Sequence, residues 1–461
     1  KKGNGKAQDK KEAANYYKLA ADKGSEISMN NYALMLEAGD GIKQDRKEAA
    51  RYYKLAIDKG YAMAFHNYAK FLLDEEKTKN NRMEAAKYFK QAADQDYAPS
   101  MYSLAQMLFN GDGIVLNKKK AAHYYEKAAN KDHVESMHCL AQMLYNGDGI
   151  VLNKKKAAHY YEKAANKDHA KSKYCLAKMF FYGDGIEKDK KKAAQYYEKA
   201  ANKDHVESMY CLAKMLFNGD GIVQDKAKSN QYFKRAADKE HVDSMVSYYC
   251  NLLKGEGIEI NKKEAFAYMK MAADNGDYKS MNSYASFLWH GKEIERDRKE
   301  AARYYKKAAN LGYAESMYNY AKMRFEGDGI EQDKTEAAEY FKRAATKNHD
   351  KAMNVYASLL FSGNGVKQDQ ELAVKYIKVL ADSCNVMAMN LYSIFLREGV
   401  FVQKDITKSI EYTKLAAENG DFASNCIYSF MLRNGIGVEK NEEEADNYQI
   451  QANQSEECLI C

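Results

Sequence analysis

The chain has 461 residues, 46% of them hydrophobic and 30% charged, with a single proline, which excludes a disordered, collagen-like or low-complexity chain. Its 72 Lys and Arg against 65 Asp and Glu leave a net charge of +7, too mild at this length to point to nucleic acid by itself. No run reaches the roughly 18 apolar residues that a membrane-spanning helix needs.

One register runs from the first residues to the last. The pair Ala13-Ala14 recurs every 36 residues, at Ala49, Ala85, Ala121, Ala157, Ala193, Ala301 and Ala337, and in weaker form at Ser229, Ala265, Ala373, Ser409 and Ala445. Three residues after each anchor stands a tyrosine, from Tyr16 and Tyr52 to Tyr412 and Tyr448. Residues 105–133 return as 141–169 with Phe109 replaced by Tyr145 as the one change. A fixed period of this kind replaces a count of domains by a single continuous array over 1–461.

In chain order, Gly3-Asn4-Gly5 and Asp9 match Gly39-Asp40-Gly41 and Asp45 one period later. Residues 1–8 are therefore expected to close a preceding, truncated repeat, with the natural protein continuing upstream. From Asp45 to Asp58 the spacing of Ala49, Tyr52, Tyr53 and Ala56 predicts a helix, with Asp45 and Glu48 as a capping box and Gly60 beyond its end. Met101, Leu104, Ala105 and Leu108 predict a second helix, with Pro99 in its first turn, and a Gly-Asp-Gly-Ile turn leads to the next cap. Each unit is thus a helical hairpin whose few apolar anchors cannot offset the ordering of 36 residues, so hairpins must stack to be stable. The expected fold is all-α, a right-handed α/α superhelical solenoid of about twelve repeats. Residues 441–454 form its C-terminal capping helix, with Asp446, Gln449 and Asn453 on a polar outer face, and 455–461 a tail.

The string A-x-x-Y-Y-x-x-A-A-x-x-G, followed by S/A-M-x-x-Y/L-A-x-x-L-x-x-G-D-G-I-x-x-D-x-x-x, as in Ala13 to Glu48, resembles the Sel1-like repeat over essentially the whole chain. The related tetratricopeptide repeat has a 34-residue period and a terminal proline. Here Tyr32-Ala33 or Leu104-Ala105 stands where the family usually has Leu-Gly, and Asp132 takes the place of a glycine. The resemblance implies an adaptor that assembles protein complexes, in some cases at membranes.

Two surfaces are candidates for binding. The first is a basic edge, Lys118, Lys119, Lys120, Lys154, Lys155, Lys156, Lys190, Lys191 and Lys192, at the start of three successive first helices. Positive charge there opposes the helix dipole, so helix stability does not account for it, and an acidic partner would, such as a tubulin-like surface or an acidic tail. The second is the concave face of the first helices. Two residues after the anchor it carries Arg51, Lys87, His123, His159, Gln195, Gln231 and Arg303. Six residues after the anchor it carries Lys127, Lys163, Lys199, Arg235, Lys307 and Arg343.

No catalytic constellation, cofactor loop or metal set is legible, so no enzyme, small-molecule substrate or cofactor is expected, and nucleic acid is not a favoured partner. His133, His169, His205 and His241 read as loop-surface residues, a full hairpin apart and unable to converge on one zinc ion. Cys139, Cys175 and Cys211 occupy one repeat position, too far apart to pair, and free thiols suit a reducing, cytoplasmic compartment. Cys458-Leu459-Ile460-Cys461 has the form of a prenylation site. The leading reading is a non-catalytic scaffold that binds proteins along the groove and basic edge. Its rivals are a structural component of a cytoskeletal or ciliary assembly and a prenylated regulatory subunit of a membrane enzyme.

Overall fold

The computed structural model describes residues 10–75 and 78–460, with side chains to Asn453, and its elements are all helices. The chain divides into two compact units, Lys1–Lys239 and Glu240–Cys461. In the first unit the helices are α1 (Lys10–Asp22), α2 (Glu26–Ala38), α3 (Arg46–Asp58), α4 (Ala62–Asp74), α5 (Lys79–Asp94), α6 (Ala98–Asn110), α7 (Lys118–Asn130), α8 (Val134–Asn146), α9 (Lys154–Asn166), α10 (Ala170–Tyr182), α11 (Lys190–Ala201), α12 (Val206–Asn218) and α13 (Lys226–Ala237). The second unit holds α14 (Val242–Lys254), α15 (Lys262–Asp274), α16 (Tyr278–His290), α17 (Arg298–Asn310), α18 (Ala314–Glu326), α19 (Lys334–Ala345), α20 (Asp350–Ser362), α21 (Gln370–Asp382), α22 (Val386–Glu398), α23 (Ile406–Glu418), α24 (Phe422–Asn434) and α25 (Glu442–Ile460). Odd-numbered helices are the first of each hairpin and even-numbered ones the second. Within each unit, each helix packs mainly on the helices before and after it in sequence, the pattern of an α solenoid.

Stacking works through the residues that set the register. The anchor alanines Ala49, Ala85, Ala121, Ala157 and Ala193 have no exposed surface, and the same holds for Ala265, Ala301, Ala337 and Ala373. A side chain no larger than a methyl lets a first helix lie against its neighbours without a gap. In repeats whose preceding second helix carries a tyrosine at the facing position, the tyrosine three residues on packs edge to face on that ring. Tyr32 and Tyr52 lie 4.8 Å apart at 89°; Tyr248 and Tyr268 lie 4.9 Å apart at 86°. Such pairs contribute about 0.5–1.5 kcal/mol beyond the area they bury. The hydroxyl of the same tyrosine reaches the end of the preceding first helix, Tyr52 donating to Asp22 at 3.1 Å and Tyr304 to Asp274 at 2.7 Å.

The helix ends account for most of the remaining letters. Asp45 accepts the Glu48 N–H at 2.9 Å, but the Glu48 carboxylate turns to Arg51 at 2.6 Å, so only half of the expected capping box forms. The histidines read as loop-surface residues are N-caps of the second helices, which corrects that expectation. His133, His169 and His205 are partly buried, and Nδ1 of each accepts the N–H of the serine three residues later, at 3.3 Å for His133 and Ser136. A histidine suits the position because its ring also packs on the preceding second helix, His133 lying 5.0 Å from Tyr102. At the C-terminal end Asp446 and Asn453 are exposed, and helical backbone runs on through 455–460, the segment expected to be a tail.

Where it occurs, the Gly-Asp-Gly turn that leaves a second helix packs on the start of that hairpin's first helix. Gly149 has φ +77, and a Cβ added there would stand 2.2 Å from Cβ of Lys118. Gly149→Ala is therefore expected to destabilise the protein by about 1–3 kcal/mol, from positive φ and overlap together, read as a lower denaturation midpoint. Burial holds the His66 and His138 rings down to about 4, each with Nδ1 at 2.9 Å from a serine hydroxyl. Because the unfolded rings take up protons near 6.5, stability is complete above that pH and is lost progressively as pH falls from 6.5 to 4. Melting temperature measured across that window should fall less steeply in His66→Gln/His138→Gln than in the wild type.

Candidate protein-interaction surface

The basic edge is two sets of side chains with different work. Lys118 and Lys154, each the first residue of its helix, form ion pairs with the turn aspartates Asp148 and Asp184, at 2.5 and 2.6 Å, and Lys190 pairs with Asp220. Each also lies over an aromatic ring of the second helix before it, Lys118 at 5.0 Å from the Phe109 centroid. These three lysines tie the start of a hairpin to the turn that leaves its second helix, so the expectation that stability does not account for them is corrected for the first lysine of each triplet. Lys156 pairs with Glu126 at 2.9 Å and Lys192 with Asp189 at 3.6 Å. Lys119, Lys120, Lys155 and Lys191 are exposed and have no side-chain ion pair among the described residues. Beside them Val115 and Val151 are 86% and 88% exposed, so the free part of the edge is mixed apolar and cationic.

All the residues assigned to the concave face lie on first helices, and all are exposed except Arg343, which is partly buried. Several are folded back on their own helix. Arg51 and Arg303 pair with Glu48 and Glu300, and Lys163, Lys199 and Lys307 lie over Tyr160, Tyr196 and Tyr304 at 5.6, 5.3 and 5.5 Å. Arg235 lies over Tyr232 and donates to the Ala201 carbonyl at 3.1 Å, and Arg343 lies over Tyr340. His123 and His159 meet Tyr124 and Tyr160 edge to face at 5.8 Å. Lys87, Lys127, Gln195 and Gln231 make no side-chain contact of these kinds among the described residues.

The two candidate surfaces meet in one repeat. Lys155 and Lys156 from the edge and His159 from the helix face line a shallow cavity floored by Leu176, Phe180 and Ile186. A second cavity, of about 960 Å³, lies between α5 and the turn 111–115. Of its lining only Lys87 was a candidate from sequence. Lys79, Met83, Lys90 and Val115 went unnoticed, although Met83 stands where Lys47, Lys119 and Lys155 stand one or two periods away.

The thiols of Cys139, Cys175 and Cys211 are free and partly buried. Burial pushes all three up, against the hydrogen bonds from Tyr125, Tyr161 and Tyr197 that favour the thiolate. The described residues contain no group of three or more His, Cys, Asp or Glu side chains placed to hold a metal ion, and no helix long and apolar enough to cross a membrane. The side chain of Cys458, the candidate prenylation site, lies outside the described residues.

Comparison with known structures agrees with this architecture. The chain superposes on the protective antigen c5321 of uropathogenic Escherichia coli, which displays an SLR fold, with TM-score 0.67 and 20% identity over 96% of this chain and 94% of that one. A Sel1 repeat protein from Oxalobacter formigenes matches with TM-score 0.55 and 20% identity over 71% of this chain and 93% of its own. A comparison with curated proteins gave no match. The Sel1 repeat model matches residues 1–25, 27–61, 62–97, 98–133, 134–169, 170–205, 206–241, 247–277, 279–313, 314–349, 350–383, 386–421 and 423–445. Matched over thirteen repeats, most of which span a second helix and the first helix after it, the chain belongs to the Sel1 repeat family.

Proposed function

We propose that the protein is a non-catalytic cytoplasmic scaffold that binds an acidic partner protein along the first helices and turn edge of its first unit. Sel1 repeat solenoids are generally scaffolds for protein-protein interaction and typically lack catalysis. The observation that carries the finer reading is the division among the lysines. Those that hold hairpins together have carboxylate partners, whereas Lys119, Lys120, Lys155 and Lys191 are left without one beside exposed Val115 and Val151. Residues 1–239 carry 44 Lys and Arg against 31 Asp and Glu, and 240–461 carry 28 against 34, so the positive charge is concentrated where those lysines stand. Such a field speeds encounter with an acidic surface and orients it.

The test begins with cross-linking mass spectrometry in native extract, followed by affinity measurement on the purified pair. Lys119→Glu/Lys155→Glu/Lys191→Glu is expected to weaken the partner about tenfold or more and to flatten its salt dependence. The melting temperature should stay within a degree or two of wild type, because these lysines contribute no ion pair. Unchanged affinity overturns the edge as the surface that binds the partner. Retention of the protein in a detergent- and salt-resistant fraction would support a cytoskeletal component in its place.

A further inference from the structure

The cavity between α5 and the turn 111–115 lies in a repeat that departs from the pattern. Its neighbours begin their first helix at Arg46 and Lys118, and the equivalent residue here is Arg82, yet α5 begins at Lys79 under the cap Thr78. The stretch before it lacks the Gly-Asp-Gly-Ile sequence found in the next repeats. Lys79 of the additional turn, together with Arg82, Met83, Ala86, Lys87 and Lys90, forms one wall of a space of about 960 Å³. Gly111, Asp112 and Gly113 form the opposite wall, anchored by Arg82, which pairs with Asp112 at 2.7 Å.

The floor of this space is apolar and the rim cationic. Met83, Ala86, Ile114 and Val115 line it, and Met83 and Val115 are 44% and 86% exposed. A methionine that open to water occupies a position where Lys47, Lys119, Lys155 and Lys191 stand in other repeats. Around it Lys79, Lys87 and Lys90 are exposed and have no carboxylate partner among the described residues.

A second irregularity lies thirty residues after Lys90, at Lys120. In several other repeats the two positions are opposite in charge and paired, as Glu126 with Lys156 and Glu198 with Lys228 at 2.9 Å, or Lys306 with Glu336 at 3.0 Å. In this repeat the residues at the corresponding positions are Lys90 and Lys120, both exposed cations. Like charges at a spacing that elsewhere carries an ion pair are destabilising on their own, and an incoming carboxylate relieves the repulsion.

We infer that this cavity is a docking site for a short acidic segment of a partner protein that inserts one large apolar side chain onto Met83 and Val115. Carboxylates on either side of that side chain pair with Lys79, Lys87 and Lys90. The volume suits one aromatic side chain and part of its flanking backbone. The inference rests on the acidic-partner reading above and narrows it to one site and one arrangement of charge around an apolar anchor.

Fluorescence anisotropy on the full chain tests it with two labelled peptides, Glu-Asp-Glu-Trp-Glu-Asp-Glu and the same peptide with Ala at its centre. The Trp peptide is expected to bind about tenfold or more tighter than the Ala peptide, and to lose about tenfold in affinity in Lys79→Glu/Lys90→Glu and again in Met83→Glu. All the changed side chains are exposed, so circular dichroism and melting temperature should match wild type. Absence of binding, equal binding of the two peptides, or undiminished binding in both variants overturns the inference. Lys119→Glu/Lys155→Glu should leave the Trp peptide bound, and its release there, with the cavity variants still binding, assigns the peptide to the edge and overturns the cavity site alone. Undiminished partner binding in the edge variants of the previous section, with the Trp peptide still lost on Lys79→Glu/Lys90→Glu, overturns only the edge.

Discussion

Everything in each unit depends on how closely one helical hairpin can lie against the next. The fully buried anchor alanines, Ala49 to Ala193 in the first unit, fix that distance, since any larger side chain there would force the helices apart. The tyrosine three residues on turns the approach into a specific contact. Its ring meets Tyr32, Tyr68 or Tyr248 edge to face on the second helix, and in several repeats its hydroxyl reaches the last turn of the preceding first helix. In those repeats one residue touches two earlier helices, which ties the register to the stacking. An inserted residue would rotate the tyrosine about 100° around its helix and lose both contacts.

That same regularity divides the polar residues by task. A cation near the start of a first helix is drawn to the aspartate of the turn that leaves the hairpin, as Lys118 is to Asp148 and Arg82 to Asp112. Histidines at the mouth of the second helices cap them, and the buried thiols are held protonated. Residues that in isolation suggest metal binding or nucleophilic chemistry are therefore taken up by helix ends and packing. What remains free is a smaller set of lysines with exposed valines and one methionine beside them.

Departures from the repeat are informative because the repeat accounts for the rest. Where Lys156 meets Glu126, charge is balanced and the contact is structural. Where Lys120 and Lys90 occupy the positions of an ion pair, or Met83 replaces a lysine, the local sequence brings no such pair. An array of near-identical hairpins can bind selectively only where its members differ, and α5 with its additional turn differs most in its own backbone among the first-unit helices.

Fold class and periodicity were legible in the letters alone, because Ala, Tyr and the Gly-Asp-Gly turn recur at the spacing the helical hairpin imposes, and such contacts are local in sequence. The role of the individual polar side chains was not. Lys118 and Lys119 are indistinguishable as neighbours in a run, yet one faces Asp148 thirty residues on and the other faces water, a difference set by rotation about the helix axis and by the turn that leaves the hairpin. His133 could be read as a surface residue until the second helix placed its Nδ1 against the Ser136 amide. The sequence by itself determined that hairpins stack and in what register; only the tertiary structure decided which charges the stacking consumes, because ion pairs form between residues that the chain brings together one repeat later.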